Sequence, residues 1–339
     1  MTILTPKPAT LLLSEFARHT WGERILAAVP AVTLTLLTAE ESVAIGGDCP
    51  ADIAFMTREV TGNSSKGKPS PELQSFEALL RRSPRLRWLQ IHPAGAERAL
   101  YAELRARGVR VTTASGATAV TVAHSAIGAL VALNRRFPLL ADAQRRHAWE
   151  PRLGQASPRD LAGQCAVIVG LGPIGRTIAT LAKAFGLRTV GIRRKAQAVP
   201  ECDRTVTYEE IPAVLPAADW LILCCPASPT TRGLVDWRML GALPAGAHLI
   251  NVSRGEVAVE RDIVDALARG HLAGAYLDVF EREPLDPASP LWDMPNVMIS
   301  PHTASHSQGQ AEAVLRIFLD NLSRWRRGEA LRNDVDDLE

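Results

Sequence analysis

The stretch VIVGLGPIGRTIATLAKAFGLRTVGIRRK, residues 167–195, runs from an apolar strand through a glycine-rich turn into a helix and out into a second strand. Gly170, Gly172 and Gly175 stand at the G-x-G-x-x-G spacing, with Pro173 and Ile174 between the second and third glycines. In such a turn the first glycine permits the tight bend and the second lets a pyrophosphate approach the backbone. The third allows close helix–strand packing, and the phosphates rest on the helix N-terminus. Pro173 suits the first helical turn, where a missing N–H removes no bond. Ala179 and Ala182 keep the helix close to the sheet. The pattern predicts a βαβ unit that binds a dinucleotide.

The end of that unit carries the cofactor signal. An Asp or Glu after the second strand would accept hydrogen bonds from the adenosine ribose of NAD. Here that position is Arg193, followed by Arg194 and Lys195. A carboxylate repels a 2′-phosphate, whereas guanidinium groups bind one bidentately. The expected cofactor is therefore NADP(H) in preference to NAD(H), the alternative being an exposed basic strand end.

Working outward, apolar strand candidates at 165–170, 188–193, 220–225, 247–252, 273–279 and 297–300 alternate with helices or loops, as in a parallel sheet covered on both faces. Upstream, short apolar runs (Leu11–Leu13, Val32–Leu37, Ile53–Met56, Leu86–Ile91, Val109–Thr112) alternate with helical segments at 72–82 and 96–107, which reads as a smaller α/β lobe. GNSSKGKPSP (62–71) is a polar loop or lid candidate. Residues 115–137 read as a long, nearly uniformly apolar helix of the kind buried between lobes or subunits, and 147–163 as an irregular arm. The chain closes on a helix and short tail from residue 310.

Bulk properties narrow the function classes. A chain of 339 residues, 47% hydrophobic, suggests about two domains. A net charge of +2 with interspersed signs argues against nucleic acid as partner. Neither a signal peptide nor a membrane-spanning run is legible, so a soluble cytoplasmic protein is expected. Cys49, Cys165, Cys202, Cys224 and Cys225 lack paired metal spacing and read as reduced, mostly buried thiols, with no metal expected.

Three further segments, PASPTTRGLVD (226–236), LINVSRGEVAVERDIVDALARGHLAGAYLDVFEREPL (249–285) and SPLWDMPNVMISPHTAS (289–305), resemble the D-isomer-specific 2-hydroxyacid dehydrogenases in their glyoxylate/hydroxypyruvate reductase branch. The resemblance runs from about residue 86 to 335. Reducing a 2-oxo acid needs a hydride donor, a cation that holds and polarises the substrate, and an acid that protonates the carbonyl oxygen. Arg254 follows a strand end and carries the fork for carboxylate and carbonyl together. His302 in SPHTAS is the acid/base candidate, since of the side chains only imidazole ordinarily titrates near neutrality. Glu283 in EREPL would pair with the imidazole, orient it and favour its protonated form. The resemblance makes these three the family's Arg, Glu and His.

The same resemblance implies further roles. The WLQIHPAGAERAL segment (88–100) is similar to the family's substrate loop, with backbone N–H groups at Ala94 and Gly95 holding the substrate carboxylate and His92 and Pro93 shaping the loop. Cys225 and Pro226 match the strand end near the nicotinamide, Thr231 a phosphate-side or loop contact, Val252 and Ser253 ring neighbours, and Asp278 the carboxamide partner or a turn cap. His124 stands where the family usually has Glu. His306 follows His302 but lacks the preceding Ser-Pro.

The expected architecture is two-lobed α/β. A flavodoxin-like substrate-binding lobe spans 1–114, completed by 305–339, and an NAD(P)-binding Rossmann lobe, a doubly wound parallel sheet, spans 115–304, with the active site in the cleft and lobe closure excluding water. The expected reaction is NADPH-dependent reduction of a small 2-oxo acid such as glyoxylate or hydroxypyruvate to the D-2-hydroxyacid, and the helix 115–137 with the arm 147–163 resembles the family's dimer contact, which implies a homodimer. The alternatives are an NAD-dependent dehydrogenase working oxidatively and a non-catalytic dinucleotide sensor on the same fold.

Overall fold

The computed structural model describes residues 8–30, 33–62, 69–151 and 157–337. Most of the lid candidate (63–68) and part of the irregular arm (152–156) lie outside them. The chain divides into two compact units, Met1–Ala117 with Gln308–Glu339, and Thr118–Ser307.

The first unit alternates β1 (Ala9–Leu13), α1 (Glu15–Ala28), β2 (Leu34–Thr38), α2 (Ala39–Ile45), β3 (Ile53–Met56), α3 (Arg58–Thr61), α4 (Pro71–Arg81), β4 (Trp88–Ile91), α5 (Ala99–Ala106) and β5 (Arg110–Thr112). All strand pairs are parallel, in the order β2-β1-β3-β4-β5, which is the flavodoxin-like order. Leu11–Leu13 and Ile53–Met56 are wholly buried, because helices cover both faces of such a sheet. Ser14 caps α1 through Ala17 N–H, and Thr38 and Glu41 form a capping box on α2.

The last part of the chain finishes this core. The C-terminal helix (Gln310–Arg327) inserts Phe318, stacked on Phe55 at 4.2 Å between ring centroids and on Trp88 at 5.5 Å. Burying such a ring stabilises the fold by about 1.5–3 kcal/mol. Asn321 on the same helix donates to Gln90 Oε1 (3.1 Å) and to Arg332 O (3.0 Å), so its buried amide is satisfied.

The second unit contains α6 (Ala119–Asn134), α7 (Phe137–Arg145), β6 (Cys165–Val169), α8 (Pro173–Ala184), β7 (Arg188–Ile192), β8 (Arg204–Val206), α9 (Ile211–Val214), β9 (Trp220–Leu223), α10 (Trp237–Gly241), β10 (Ala247–Asn251), α11 (Glu260–Ala268), β11 (Leu272–Leu277) and β12 (Val297–Ile299). Its seven strands are parallel in the order β12-β11-β10-β9-β6-β7-β8, a Rossmann sheet whose order reverses between β6 and β9. Ligands of such sheets collect beyond the carboxyl ends of the strands at that reversal.

Two sequence expectations need correction here. The sheet has seven strands where six were legible: β8 is a three-residue edge strand with exposed Arg204, too short and polar to announce itself. The helix expected over 115–137 starts only at Ala119 and stops at Arg135. Arg136 then takes a left-handed turn (φ 58°) and Pro138 opens the separate helix α7. The apolar face of α6 is buried within its own unit. Ala123, Ala126 and Leu130 pack with Ile178, Ala179 and Ala182 of α8 and with strand residues Ile168, Ile222 and Ile250. Its opposite side exposes Val120, His124 and Gly128.

Candidate active site

Each glycine of the first turn has its own steric reason. Gly170 has φ 102°, and a Cβ there would sit 2.8 Å from the backbone N and Cα of Cys225. At Gly175 a Cβ would fall 1.9 Å from Gly170 O. At Gly172 it would meet no atom within 4 Å, so the space it leaves is open on the ligand side of the turn. Gly172 is also the N-cap of α8, without a side-chain cap, and the first helical bond runs from Arg176 N–H to Gly172 O (3.0 Å). Pro173 has no N–H, and those of Ile174 and Gly175 precede the first helical bond, as anion donors do. The cradle fits a dinucleotide pyrophosphate.

Two supports of this turn escape the motif. Cys224 donates its thiol to Gly170 O at 3.0 Å. Gly191, in mid-strand, makes room for Leu171, whose side chain would lie 2.4 Å from a Cβ at that position. A glycine interrupting an apolar strand is the signal that marks the second of these.

Beyond β7, Arg193 is half-buried and Arg194 and Lys195 are exposed. Arg193 N–H bonds Val206 O (3.1 Å), which prolongs the ladder with β8 and fixes where the basic run begins. Among the described residues no carboxylate pairs with Arg193 or Lys195. Across the reversal point, Cys225 is buried and burial pushes its thiol up to about 11, so it stays neutral. Thr231, also buried, donates to Pro226 O (2.6 Å) and accepts from Ser228 N–H (2.8 Å), bracing the 226–231 loop from within.

The charged constellation lies at the carboxyl ends of β10, β11 and β12. Arg254 follows β10 on a turn knitted by Asn251, whose side chain accepts from Ser253 N–H (3.1 Å) and Ser253 hydroxyl (2.6 Å) and donates to Arg254 O (3.3 Å). Val252 and Ser253 are buried in that turn. Arg254 itself donates to Ser253 O at 2.8 Å. Gly255 has no room for a side chain: its Cβ would lie 1.9 Å from Phe280 C and O. The Arg254 turn is therefore pressed against the loop that carries Glu283, a constraint the sequence reading did not single out.

Glu283 accepts from Phe280 N–H through Oε1 (3.2 Å) and from His302 Nδ1 through Oε2 (2.8 Å). Burial alone would push the Glu283 carboxyl up. The hydrogen bond and charge of His302, the Phe280 N–H and the Arg254 charge outweigh it and hold the carboxyl below its ordinary value. The Glu283 hydrogen bond raises the imidazole of His302, opposed by burial and by Arg254. An ionised carboxylate only accepts, so Nδ1 carries a proton and Nε2 is the free end of the ring. The side chain of His302 is 46% exposed, open to a ligand.

His302 has φ 55°, uncommon for a non-glycine residue. Asp278, buried at the end of β11, secures it. Its carbonyl accepts from His302 N–H (2.8 Å), and its Oδ1 accepts from Thr303 N–H (2.8 Å), Ala304 N–H (3.0 Å) and the Ser300 hydroxyl (2.5 Å). Asp278 thus caps the turn with one oxygen. His124 is exposed on α6, and the tie from that helix to the turn is the next residue, Ser125, which donates to Ala304 O at 3.1 Å. His306 is exposed, and its N–H closes the turn on Thr303 O at 2.9 Å.

Ala94 and Gly95 belong to the first unit, in the loop after β4, Ala94 exposed and Gly95 half-buried. His92 in that loop is tied by its N–H to Met56 O (3.0 Å) and by Nε2 to the Thr61 hydroxyl (2.7 Å). Burial, with the charges of Arg58 and Arg98, brings its imidazole down to about 4, so it shapes the loop as a neutral ring. Pro93 O accepts from Ala114 N–H at 3.0 Å. Among the described residues no group of His, Cys, Asp and Glu is arranged to hold a metal, and no helix is long and apolar enough to cross a membrane.

Known proteins are similar to this chain in sequence and fold. Residues 127–304 match the family model of the D-isomer specific 2-hydroxyacid dehydrogenase, NAD binding domain. A glyoxylate reductase of Korarchaeum cryptofilum is 30% identical over 85% of this chain and 83% of its own. The glyoxylate/hydroxypyruvate reductase A HPR2 of Arabidopsis thaliana is 31% identical over 82% of this chain and 85% of its own. The crystal structure of a D-isomer specific 2-hydroxyacid dehydrogenase from Xanthobacter autotrophicus Py2, in complex with NADPH and MES, superposes with a TM-score of 0.75 at 27% identity, over 96% of this chain and 97% of that one. With a Rossmann sheet, a nucleotide cradle and a paired acid and base in the same unit, the chain belongs to the D-isomer specific 2-hydroxyacid dehydrogenases, in their glyoxylate/hydroxypyruvate reductase-like branch, and is a nicotinamide-dependent oxidoreductase.

Proposed function

We propose that the protein is an NADPH-preferring reductase that converts a small 2-oxo acid, of the size of glyoxylate or hydroxypyruvate, to the D-2-hydroxyacid. The observation that carries the reading is the 2.8 Å hydrogen bond between Glu283 and His302, with the Arg254 guanidinium close enough to bias both charges. A bound reduced nicotinamide supplies the hydride for C2 of the substrate. Arg254 holds the oxo acid and polarises its carbonyl, since a guanidinium fork matches two oxygens at once. His302, kept protonated by Glu283, gives the Nε2 proton to the carbonyl oxygen as it becomes an alkoxide. The glycine cradle takes the pyrophosphate. The Oδ2 of Asp278, for which no donor occurs among the described residues, accepts from the carboxamide.

Preference for NADPH is supported by Arg193 and Lys195, which stand without a carboxylate partner among the described residues where a ribose-binding acid would exclude a 2′-phosphate. The NADPH complex of the Xanthobacter relative supports it too. Val252, Ser253, Cys225, Pro226 and Thr231 are assigned to the nicotinamide side, and Ala94 and Gly95 to the substrate carboxylate, on the similarity of their segments. A cytoplasmic homodimer belongs to the same reading; exposed Val120, Phe137, Leu140 and Trp149, the last 95% exposed, support a second copy on α6 and α7. The test is NADPH oxidation over a panel of 2-oxo acids of increasing size, with NADH in parallel. Turnover of none of them, or equal rates with NADH, overturns the corresponding half of the proposal.

A further inference from the structure

Behind the His302 turn lies a chain of hydroxyls to which the mechanism above gives no role. The Tyr276 hydroxyl lies 2.7 Å from Ser300 Oγ, and Ser300 Oγ lies 2.5 Å from Asp278 Oδ1. Tyr276 and Asp278 are both buried. The direction of this chain follows from chemistry. A carboxylate oxygen only accepts, so the single Ser300 proton points to Asp278, and the Tyr276 hydroxyl must then donate to Ser300. Burial raises the Tyr276 hydroxyl, which keeps its proton in place.

Asp278 Oδ1 therefore receives three donors, the Ser300 hydroxyl and the N–H groups of Thr303 and Ala304, from both sides of His302. Ser300 N–H is also bonded to Leu277 O (3.1 Å), which extends the β11–β12 ladder to the foot of the turn. The left-handed backbone of His302 is held from the strand below by these bonds. Such a conformation persists only when its surroundings over-determine it.

We infer that Tyr276 and Ser300 are positioning residues of the reaction: through Asp278 they fix the backbone from which the His302 imidazole reaches Glu283. This rests on the reading of His302 as proton donor. Without the Ser300 hydroxyl the carboxylate loses one of its three donors, the one from the strand side, the turn relaxes, and the 2.8 Å contact with Glu283 loosens. The charged and titratable groups that face His302 are Glu283, Arg254 and Asp278, so weakening the first leaves Arg254 and burial to lower its pKa.

The test compares Ser300→Ala, Tyr276→Phe and Ser300→Thr with the wild type, following the His302 ring proton by NMR titration and kcat and KM against pH. Ser300→Ala and Tyr276→Phe are expected to shift the His302 titration and the basic limb of kcat to lower pH together. A misplaced donor of this kind lowers kcat roughly 10- to 100-fold, with the KM of the oxo acid changing less. Ser300→Thr keeps the hydroxyl and restores both profiles. Tyr276→Phe removes one oxygen and keeps the ring, so it decides the matter if Ser300→Ala does not fold. Folded variants with unchanged His302 titration and unchanged kcat profile overturn the inference. A wild type inactive on every oxo acid overturns the functional reading instead, while the NMR titration still decides whether Tyr276 and Ser300 position His302.

Discussion

Glu283 and His302 share one hydrogen bond, Oε2 to Nδ1 at 2.8 Å, and it moves the two groups in opposite directions: the carboxyl down, the imidazole up. In the reducing direction the imidazolium is the reactive form, so kcat should be level at low pH and fall as pH rises through the raised His302 value. Glu283→Gln keeps the shape, removes the charge and should shift that limb to lower pH. His302→Ala should lower kcat about 10²- to 10⁴-fold. Rates from pH 5 to 10 check all three, and an unmoved limb in Glu283→Gln counts against the pairing.

The same pair predicts how stability depends on pH. His302 has its folded value raised above 6.5, so its contribution is full below 6.5 and lost as pH rises through the raised value. Glu283 has its folded value depressed below 4.5, so its contribution is full above 4.5 and lost as pH falls through the depressed value. Between the two, both are present. Thermal melts of the wild type and Glu283→Gln should differ most in that window and converge on both sides.

Arg254→Lys keeps the charge and loses the fork. One ammonium cannot hold two oxygens in fixed geometry, and removing one preorganised donor of this kind lowers kcat by about 10²- to 10³-fold. Steady-state kinetics measure it; a change confined to KM would mean that Arg254 binds but does not polarise.

The glycines should separate folding from binding. Gly175→Ala places a methyl 1.9 Å from a backbone oxygen and should destabilise the fold by about 1–3 kcal/mol. Gly172→Ala meets no atom within 4 Å, so its melting temperature should stay near wild type while cofactor affinity falls, because the methyl occupies the pyrophosphate's approach. Calorimetric titration with NADPH beside thermal melts distinguishes the two.

At the adenosine end, replacing Arg193 and Lys195 together by alanine should weaken NADPH by about 10- to 100-fold, the worth of charge-assisted hydrogen bonds to a phosphate, and leave NADH nearly untouched. Equal losses for both cofactors would place the basic run away from the 2′-phosphate, and no loss for either would place it outside the nucleotide site.

Most of this architecture was legible for a plain reason: parallel strands covered on both faces read as apolar runs, and the glycine turn carries its constraints at a fixed spacing. Arg254, Glu283 and His302 stood out because each sits inside a recognisable segment. β8 did not, since a three-residue edge strand buries little. Gly255, Ser125, Ser300 and Tyr276 did not either, because their meaning lies in partners remote in sequence: Ser125 and Ala304 are separated by 179 positions. Cys224 was noticed as a thiol, but its role as a carbonyl partner depends on the left-handed turn at Gly170, which composition does not reveal.

The insertion of Phe318 against Phe55 and Trp88 has a consequence for biosynthesis. Residues 118–307 form one uninterrupted unit, so the nucleotide-binding sheet can assemble on the ribosome as soon as it has emerged. The sheet of residues 9–112 must wait, its aromatic floor uncovered, until the helix Gln310–Arg327 leaves the exit tunnel. A nascent chain stalled before residue 310 should therefore recruit chaperones through that waiting sheet.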